Sequence, residues 1–390
     1  MALDKVPAAM MSGLLVSETA PTNPGVGQRW YRASTAITYQ YTNDGTSSFW
    51  LDVSSGGIGT SATRGVDFVG DTDPIGTTNG TGLAVGSVYY NREKNRHFVC
   101  TDATSNANVW SGRFSGAGGT VTTYGSYRVH TFLTGGIFIV DGTLSCDVLV
   151  VAGGGGGGKL DGGGGGAGGF RTSAGLSLSS GGYTVTVGGG GAGSTDKTLT
   201  GVDGNDSVFS GSGITTITST GGGGGGSHAG NQANEVGHSG GSGGGTSHNN
   251  DSDPGGAASP VTSPVQGYAG GAGYAGGASA NSGGGGGGAS EAGNTNAARA
   301  GGDGATNAYR TGSDVTYAGG GGGGNDDFAD DGVGGAGGGG HGSRDNGGTN
   351  GTAATANTGG GGGGGGYSGS NGGDGFAGGS GIVVIKFPAG

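Results

Sequence analysis

The sequence is poor in the features that stabilise small secreted domains or span membranes. Its 390 residues include 2 cysteines and 8 prolines. Because Cys100 and Cys146 lie in unlike sequence contexts, we expect two separate thiols and exclude a disulfide framework. No stretch approaches the roughly 18 apolar residues of a membrane helix. Residues 1–10 also lack the continuous apolar core of a signal peptide.

Charge is scarce as well. Lys and Arg together number 16, Asp and Glu number 27, and the formal net charge is −11 at pH 7. The sequence has no basic patch or stripe, which is the electrostatic footprint of a protein that binds nucleic acid or an anionic membrane. We therefore expect neither of these partners.

Glycine is abundant and unevenly distributed. Of the 111 glycines, 90 lie after residue 150, far above the usual share of roughly 7%. No amphipathic helical pattern occurs, whereas short β-type runs alternate with turn residues. We therefore predict an all-β fold with added polyglycine II structure, no significant α-helix, and a change of architecture near residue 150.

The region before residue 120 contains an internal repeat. Residues 1–20 are predicted to form an arm that packs on a partner subunit or a neighbouring protein. A small aromatic β module at 21–55 is followed by a second copy at 66–115. Equivalent aromatic residues are 59 or 60 residues apart, namely Trp30 and Tyr89, Tyr39 and Phe98, and Trp50 and Trp110. A constant offset indicates duplication. Strands are predicted in the first copy at 29–31, 38–41 and 49–53.

A β base is predicted at 120–151. Its β-type runs are 120–123, 127–133, 136–140 and 144–151. The last apolar run, 382–387, is apolar on both faces, which suits a buried strand that completes this base. The predicted apolar face consists of Val129, Phe132, Ile137, Ile139, Val148 and Val150.

Three structures compete for the glycine runs of 152–381. A flexible linker conflicts with the aromatic residues that interrupt the runs, and collagen requires glycine at every third position and abundant proline. The third is a bundle of extended polyglycine helices, in which six residues span roughly 19 Å. Without Cβ atoms such helices approach closely, and their neighbours can pair the N–H and C=O groups. Because many runs have equal length, we favour this bundle.

Two parts of the sequence resemble phage tail-fibre proteins. The pattern Pro-Thr-Asn-Pro-x2-Gly-x2-Trp-Tyr…Tyr-x-Tyr…Trp-x-Asp-Val, within 21–53, is similar to a small module of fibres from marine, cyanophage-like tailed phages. The strand at 148–152 leading into six glycines, the segment 181–189 and the closing strand at 381–387 resemble a glycine-rich fibre domain. In composition and design this half is also similar to the adhesins at the tips of T-even-type long tail fibres.

The resemblance implies a sandwich of polyglycine helices whose loops touch a host receptor. On this basis we expect a non-enzymatic virion adhesin on a tail fibre or tail tip, assembled in the host cytoplasm. Its partners would be a bacterial surface glycan or outer-membrane protein, other virion proteins through 1–20, and further copies of itself, most simply in a trimer. The alternative is a structural virion component such as a head fibre, decoration or spacer protein. A cellular glycine-rich surface protein and a depolymerase have weaker support.

No motif predicts catalysis, a cofactor or a metal. The glycines at 153–158 with Lys159 mimic a phosphate-binding loop, but Leu160 stands where Ser or Thr is required. His228, His238 and His248 are ten residues apart, which is not the spacing of zinc ligands. We expect these histidines to be solvent-exposed loop residues.

The candidate contact surface consists of the long segments between glycine runs. These are 227–239, 246–268, 289–300, 305–318, 325–331 and 341–358. Polar amides with a few rigid aromatic residues are typical of paratope-like surfaces. The candidate receptor contacts are Tyr268, Tyr274, Tyr309, Arg310, Tyr317, Phe328 and Arg344. For each residue, the alternative is a structural role in capping the bundle.

Overall fold

Strands are the main regular secondary structure of the described residues, as the short alternating runs predict. The computed structural model describes residues 14–17, 19–20, 22, 29–32, 37–43, 48–52, 68–70, 74, 78, 83–84, 87–91, 96–107, 109–112, 118–140, 143–228, 232–248, 254–260, 265–276, 281–294, 299–326, 332–344, 350–367 and 372–388. The strands are β1 Leu14–Val16, β2 Arg29–Arg32, β3 Ile37–Asn43, β4 Ser48–Asp52, β5 Phe68–Gly70, β6 Val88–Asn91, β7 Arg96–Asp102, β8 Val109–Gly112, β9 Thr120–Tyr124, β10 Tyr127–Phe132, β11 Gly136–Val140, β12 Leu144–Val151, β13 Phe170–Leu178, β14 Gly181–Thr186, β15 Ser207–Ser210, β16 Ile217–Ser219, β17 Ala305–Asn307, β18 Val315–Tyr317 and β19 Ile382–Pro388. Among these residues the single helix is α1, Gln232–Glu235, and the all-β fold class is confirmed.

The first compact unit, Met1–Asp67, contains a sheet in the order β1-β2-β3-β4. The three strands predicted for the first module are observed as β2, β3 and β4. Strand β1 pairs in parallel with β2. Leu14–Val16 therefore belongs to this sheet, although the sequence placed it in an extended arm. Residues 1–13 of the predicted arm lie outside the described residues.

The second unit, Phe68–Gly390, begins with a sheet of the same design, β5-β6-β7-β8. Its first pair of strands is parallel and the next two pairs are antiparallel, as in the first module. Tyr89 and Phe98 are buried and meet edge to face with ring centroids 6.4 Å apart. The shared topology agrees with the duplication inferred from the sequence.

A sandwich of two antiparallel sheets carries the glycine region. One sheet has the order β13-β12-β19-β10-β9, and the other has the order β11-β14-β15-β16. Strand β19 lies between β12 and β10 and is antiparallel to both. The prediction that the last apolar run joins the β base is therefore confirmed.

The core lies on both faces of the five-stranded sheet. Between the sheets pack Phe132, Phe138, Val140, Leu144, Cys146, Val148, Val150, Leu178, Tyr183, Val185, Phe209, Val383, Ile385 and Phe387. A second cluster on the opposite face contains Val129, Leu149, Val151, Ala167, Tyr317, Ala318, Ile382 and Val384. Strand β19 contributes to both clusters, which explains why it is apolar on both faces. Both cysteines remain thiols.

The predicted apolar face of the β base is wrong in three respects. Val129 lies on the opposite face of the five-stranded sheet from Phe132, Val148 and Val150. The run at 136–140 does not join the other three runs but lies at the edge of the second sheet as β11. Along this strand Phe138 and Val140 point into the core, whereas Ile137 and Ile139 are 57% and 49% exposed. Alternate residues of a strand point to opposite faces, and here both faces are apolar, so the pattern could not identify the buried one.

The glycine run 153–158 is bonded to neighbours on all sides. Amides three residues apart donate to carbonyls of the same antiparallel neighbour. The amides of 153 and 156 donate to the segment 202–205, those of 154 and 157 to 376–379, and those of 155 and 158 to 163–166. The carbonyls accept from parallel neighbours with the same period: 153 and 156 from 222–225, 154 and 157 from 191–194, and 155 and 158 from 362–365. The N···O distances are 2.8–3.0 Å. This period of three residues is the one expected of a helix with three residues per turn, such as the predicted polyglycine helices.

The returning segment 162–169 is surrounded in the same way. Its backbone groups bond to 152–158, 220–226, 359–365, 284–287, 242–245 and 321–324. Where a backbone neighbour is missing, side chains take its place. The amides of Gly221 and Gly224 donate to the Asp206 and Asp203 carboxylates, each at 2.8 Å. The glycine runs thus pair their buried N–H and C=O groups with one another, and this bundle of mutually bonded runs is here called the lattice.

Candidate functional site

The two ends of the glycine bundle are different surfaces. At one end, here called the sheet end, the runs join the strands of the sandwich. Run 153–158 leaves β12, and segment 162–169 leads back to β13. The turn at 159–161 therefore marks the opposite end, here called the distal end.

The hydrogen-bond register assigns the other connections to one end or the other. Segments that bond in parallel to 153–158 run toward the distal end, and antiparallel segments run back. By this criterion the chain reverses at the distal end between 194 and 201, 226 and 237, 247 and 255, 273 and 283, 294 and 299, 324 and 332, 343 and 352, and 366 and 373. It reverses at the sheet end between 241 and 242, 259 and 266, 288 and 293, 304 and 319, 336 and 339, and 355 and 359.

This assignment divides the predicted contact segments. The described residues of 227–239 and 325–331 belong to the distal end, and 305–318 belongs to the sheet end. The segments 246–268, 289–300 and 341–358 each include connections at both ends. The six segments therefore do not form one continuous surface.

The candidate contact residues are divided in the same way. Tyr274 and Arg344 flank distal connections, and Tyr274 exchanges backbone hydrogen bonds with Ser282 at 2.8 and 2.9 Å. Tyr268 is 45% exposed on a run that begins at the sheet end. Tyr309 and Arg310 lie in the connection between β17 and β18 at the sheet end. Phe328 lies outside the described residues.

Tyr317 is not a surface residue. It is 1% exposed and packs in the second core cluster with Leu149 and Val384. The alternation along β18 turns its ring toward the five-stranded sheet. A direct contact between Tyr317 and a receptor is therefore excluded, and its role is to anchor the β17–β18 hairpin.

A cation held between two aromatic rings attaches this hairpin to the sheet. The Lys386 ammonium lies 4.6 Å from the Tyr127 ring centroid and 4.5 Å from that of Tyr309. It also lies 2.8 Å from the Asp147 carboxylate, which is its direct cross-strand partner. Burial alone would lower the pKa of Lys386, but the Asp147 carboxylate outweighs it and raises that pKa. Cation–π contact and the ion pair together fix the hairpin.

The sequence analysis did not identify Lys386, Tyr127 or Asp147. A signal was available for Lys386, because it is the one charged residue in an otherwise apolar, buried strand. A charge in such a strand requires a partner. The partner could not be chosen without the strand register.

At the distal end, His228 and His248 stack with ring centroids 4.3 Å apart. The His248 Nδ1 lies 3.6 Å from the buried Asp161 carboxylate, and Lys159 forms an ion pair with Asp374. His238 lies apart from this pair, with its Nδ1 2.9 Å from Asp203. The expectation of three solvent-exposed histidines is wrong for His228 and His248, because the lattice brings their two connections together.

Burial determines the protonation of this stacked pair. Burial and the neighbouring His228 lower the pKa of His248 to about 4. Burial also lowers the pKa of His228. Both rings are therefore neutral at pH 7. Because the pKa of His248 is lower in the folded than in the unfolded chain, its contribution to stability is complete above about pH 6.5 and is lost as the pH falls toward 4. The lowered pKa of His228 acts in the same direction.

The described part of the chain gives no indication of a metal centre. No group of three or more His, Cys, Asp or Glu side chains is placed there to hold a metal ion. In the same residues no helix is long and apolar enough to span a membrane.

Comparison with known protein families gives one result that covers the sandwich and the lattice together. A family model described as a glycine-rich domain matches residues 131–388. This range begins within β10 and ends at the last residue of β19, and so includes the strands that frame the glycine runs. A comparison with curated proteins finds no match.

Proposed function

The chain belongs to the family of the glycine-rich domain, and we propose that this domain is the receptor-binding scaffold of a phage tail fibre or tail tip. The protein would be a non-enzymatic virion adhesin, assembled in the host cytoplasm. It would recognise a glycan or an outer-membrane protein on the bacterial surface. Residues 1–20 would contact other virion proteins, and the adhesin would be a homo-oligomer, most simply a trimer.

The gathering of many connections at the distal end of one lattice supports this proposal. Each run inside the lattice is held by backbone hydrogen bonds to its neighbours. A connection can therefore change its sequence without removing those bonds. Binding residues commonly lie on loops that a rigid scaffold positions.

The described residues of the distal end have the chemistry of a contact surface. Tyr274 and Tyr367 are 36% and 43% exposed. Lys159 and Arg344 are partly exposed cations at the same end. Rigid aromatic rings with adaptable polar neighbours are typical of binding surfaces.

Exchange of the distal connections tests the proposal. In the full chain, 229–231 and 249–253, whose described flanking residues lie at the distal end, are replaced by Gly-Ser segments of equal length. The matched control replaces 261–264, whose described flanking residues Pro260 and Val265 lie at the sheet end. We expect the control to bind host cells like the unmodified protein. The distal variant should bind at least about tenfold more weakly, because a few residues carry most of the binding energy of an interface. Cell binding is measured with fluorescently labelled protein.

A distal variant that binds host cells as well as the unmodified chain would contradict the proposal. If the unmodified chain binds no bacterial cell and antibodies raised against it label the capsid, the structural alternative replaces it. The protein would then be a head fibre, decoration or spacer protein.

A further inference from the structure

A groove of about 400 Å³ lies between the edge of the five-stranded sheet and the β17–β18 hairpin. Thr120, Thr122 and Thr131 line it on the side of the sheet, and Arg310 and Thr311 line it on the side of the hairpin. Thr120 and Thr131 are direct partners across β9 and β10, so they share a face with Thr122. The volume falls within the roughly 300–1,000 Å³ of small-molecule sites.

The groove is held open by contacts between its two sides. The Tyr124 hydroxyl lies 3.2 Å from the carbonyl oxygens of both Ala308 and Tyr309, and its single proton is shared between these two acceptors. Gly312, with φ +82, packs against the Tyr124 ring so closely that a Cβ there would lie 2.7 Å from ring carbon Cδ2. The hairpin itself is anchored by Tyr317 and Lys386. A ligand would therefore find the site largely preformed, which reduces the ordering cost of binding.

The lining combines hydroxyls, one aromatic residue, the aliphatic side chain of Leu133 and one cation. Each threonine hydroxyl can donate and accept a hydrogen bond, and Tyr124 adds a ring. Among the described residues, no carboxylate forms an ion pair with Arg310. A guanidinium forms bidentate hydrogen bonds with a carboxylate.

We propose that this groove binds an acidic saccharide, with the sugar hydroxyls paired to the threonines and the sugar carboxylate paired to Arg310. Because the whole chain carries a net charge of −11, it repels polyanions. The site therefore suits a saccharide with one carboxylate in the groove. This site is at the sheet end and does not depend on the proposed role of the distal connections.

The test compares two sugars of the same shape, methyl β-D-glucuronide and methyl β-D-glucoside. Binding to the full chain is followed by NMR titration, which detects weak affinities. We expect the glucuronide to bind about tenfold more tightly than the glucoside, because a charge-assisted hydrogen bond contributes more than a neutral one. Arg310→Gln should remove this difference.

Arg171→Gln is the matched control. Arg171 lines a groove with Thr172 and Thr215 at the opposite edge of the sandwich, and no aromatic side chain lines that groove. This variant should bind the glucuronide like the unmodified protein. Thr122→Val keeps the shape of the groove and should weaken both sugars by a similar factor.

The proposal is overturned if the two sugars bind equally, if neither binds, or if Arg310→Gln leaves the affinity for the glucuronide unchanged. The assay uses soluble sugar and no cells, so a negative result would not bear on the proposal that the distal connections form the receptor-binding surface.

Discussion

Replacing Gly165 with alanine is expected to destabilise the glycine-rich domain strongly. Gly165 lies in the segment 162–169, which has bonded neighbours on all sides. An added Cβ would lie closer than 3.0 Å to the carbonyl oxygen of Gly155. Overpacking costs about 1–3 kcal/mol where side chains can adjust. Here only bonded backbone could move, so we expect a loss above about 3 kcal/mol, a large part of the roughly 5–15 kcal/mol that stabilises a domain.

Gly189→Ala is the matched control within the same lattice. A Cβ at Gly189 would have one neighbour within reach, the Asn205 side-chain nitrogen at 3.7 Å. Its φ is not positive, so alanine adopts it without strain. The unfolded chain loses entropy on this change, and we expect a gain of about 0.4–1 kcal/mol. Urea unfolding of both purified variants measures the difference, and equal stabilities would contradict the lattice.

Removal of residues 382–390 is expected to abolish folding of the sandwich and the lattice together. Strand β19 separates β12 from β10, so its loss leaves two unpaired strand edges in the middle of a sheet. Five of its side chains are at most 1% exposed, namely Ile382, Val383, Val384, Ile385 and Phe387. Each fully buried side chain of this size contributes roughly 1.5–3 kcal/mol, and together they match or exceed the stability of a typical domain.

Removal of residues 389–390 alone keeps β19 whole and provides the control. This variant should show the circular dichroism spectrum and melting temperature of the full chain. The larger truncation should be recovered as an unfolded or aggregated protein. A soluble truncated protein with an unchanged melting temperature would show that β19 is not required for the fold.

The framing strands and the glycine runs were predictable because their signals are local. The runs of 144–151 and 382–387 are apolar over their whole length, and consecutive glycines leave few structures besides an extended, closely packed one. The duplication was visible in the constant offset between Trp30 and Tyr89. In each case the residues that carry the signal are also those that form the element.

The placement of β11 depended on contacts distant in sequence. Ile137, Phe138, Ile139 and Val140 are all apolar, so alternation gives two faces of similar hydrophobicity. The second sheet, built from β14 to β16, decides between them by burying Phe138 and Val140. Those strands follow 40 or more residues later, and no local pattern specifies their pairing with β11.

The candidate site was predictable only in part for the same reason. The sequence identified polar segments between glycine runs, but the register of the lattice decides which end each segment occupies. It also brings His228 onto His248 and turns Tyr317 into the core. A single tyrosine between polar residues can be an exposed contact residue or a buried anchor, and the sequence around it does not distinguish the two.

Hydrogen exchange of the glycine amides tests most directly whether these runs form a rigid scaffold. The account predicts that the amides of 153–158 and 162–169 exchange slower than those of an unstructured glycine peptide by a factor on the order of 10³ or more, because exchange requires opening of the cooperative lattice. Exchange of these amides at the rate of the unstructured peptide would show that the runs are flexible linkers, and would contradict the account.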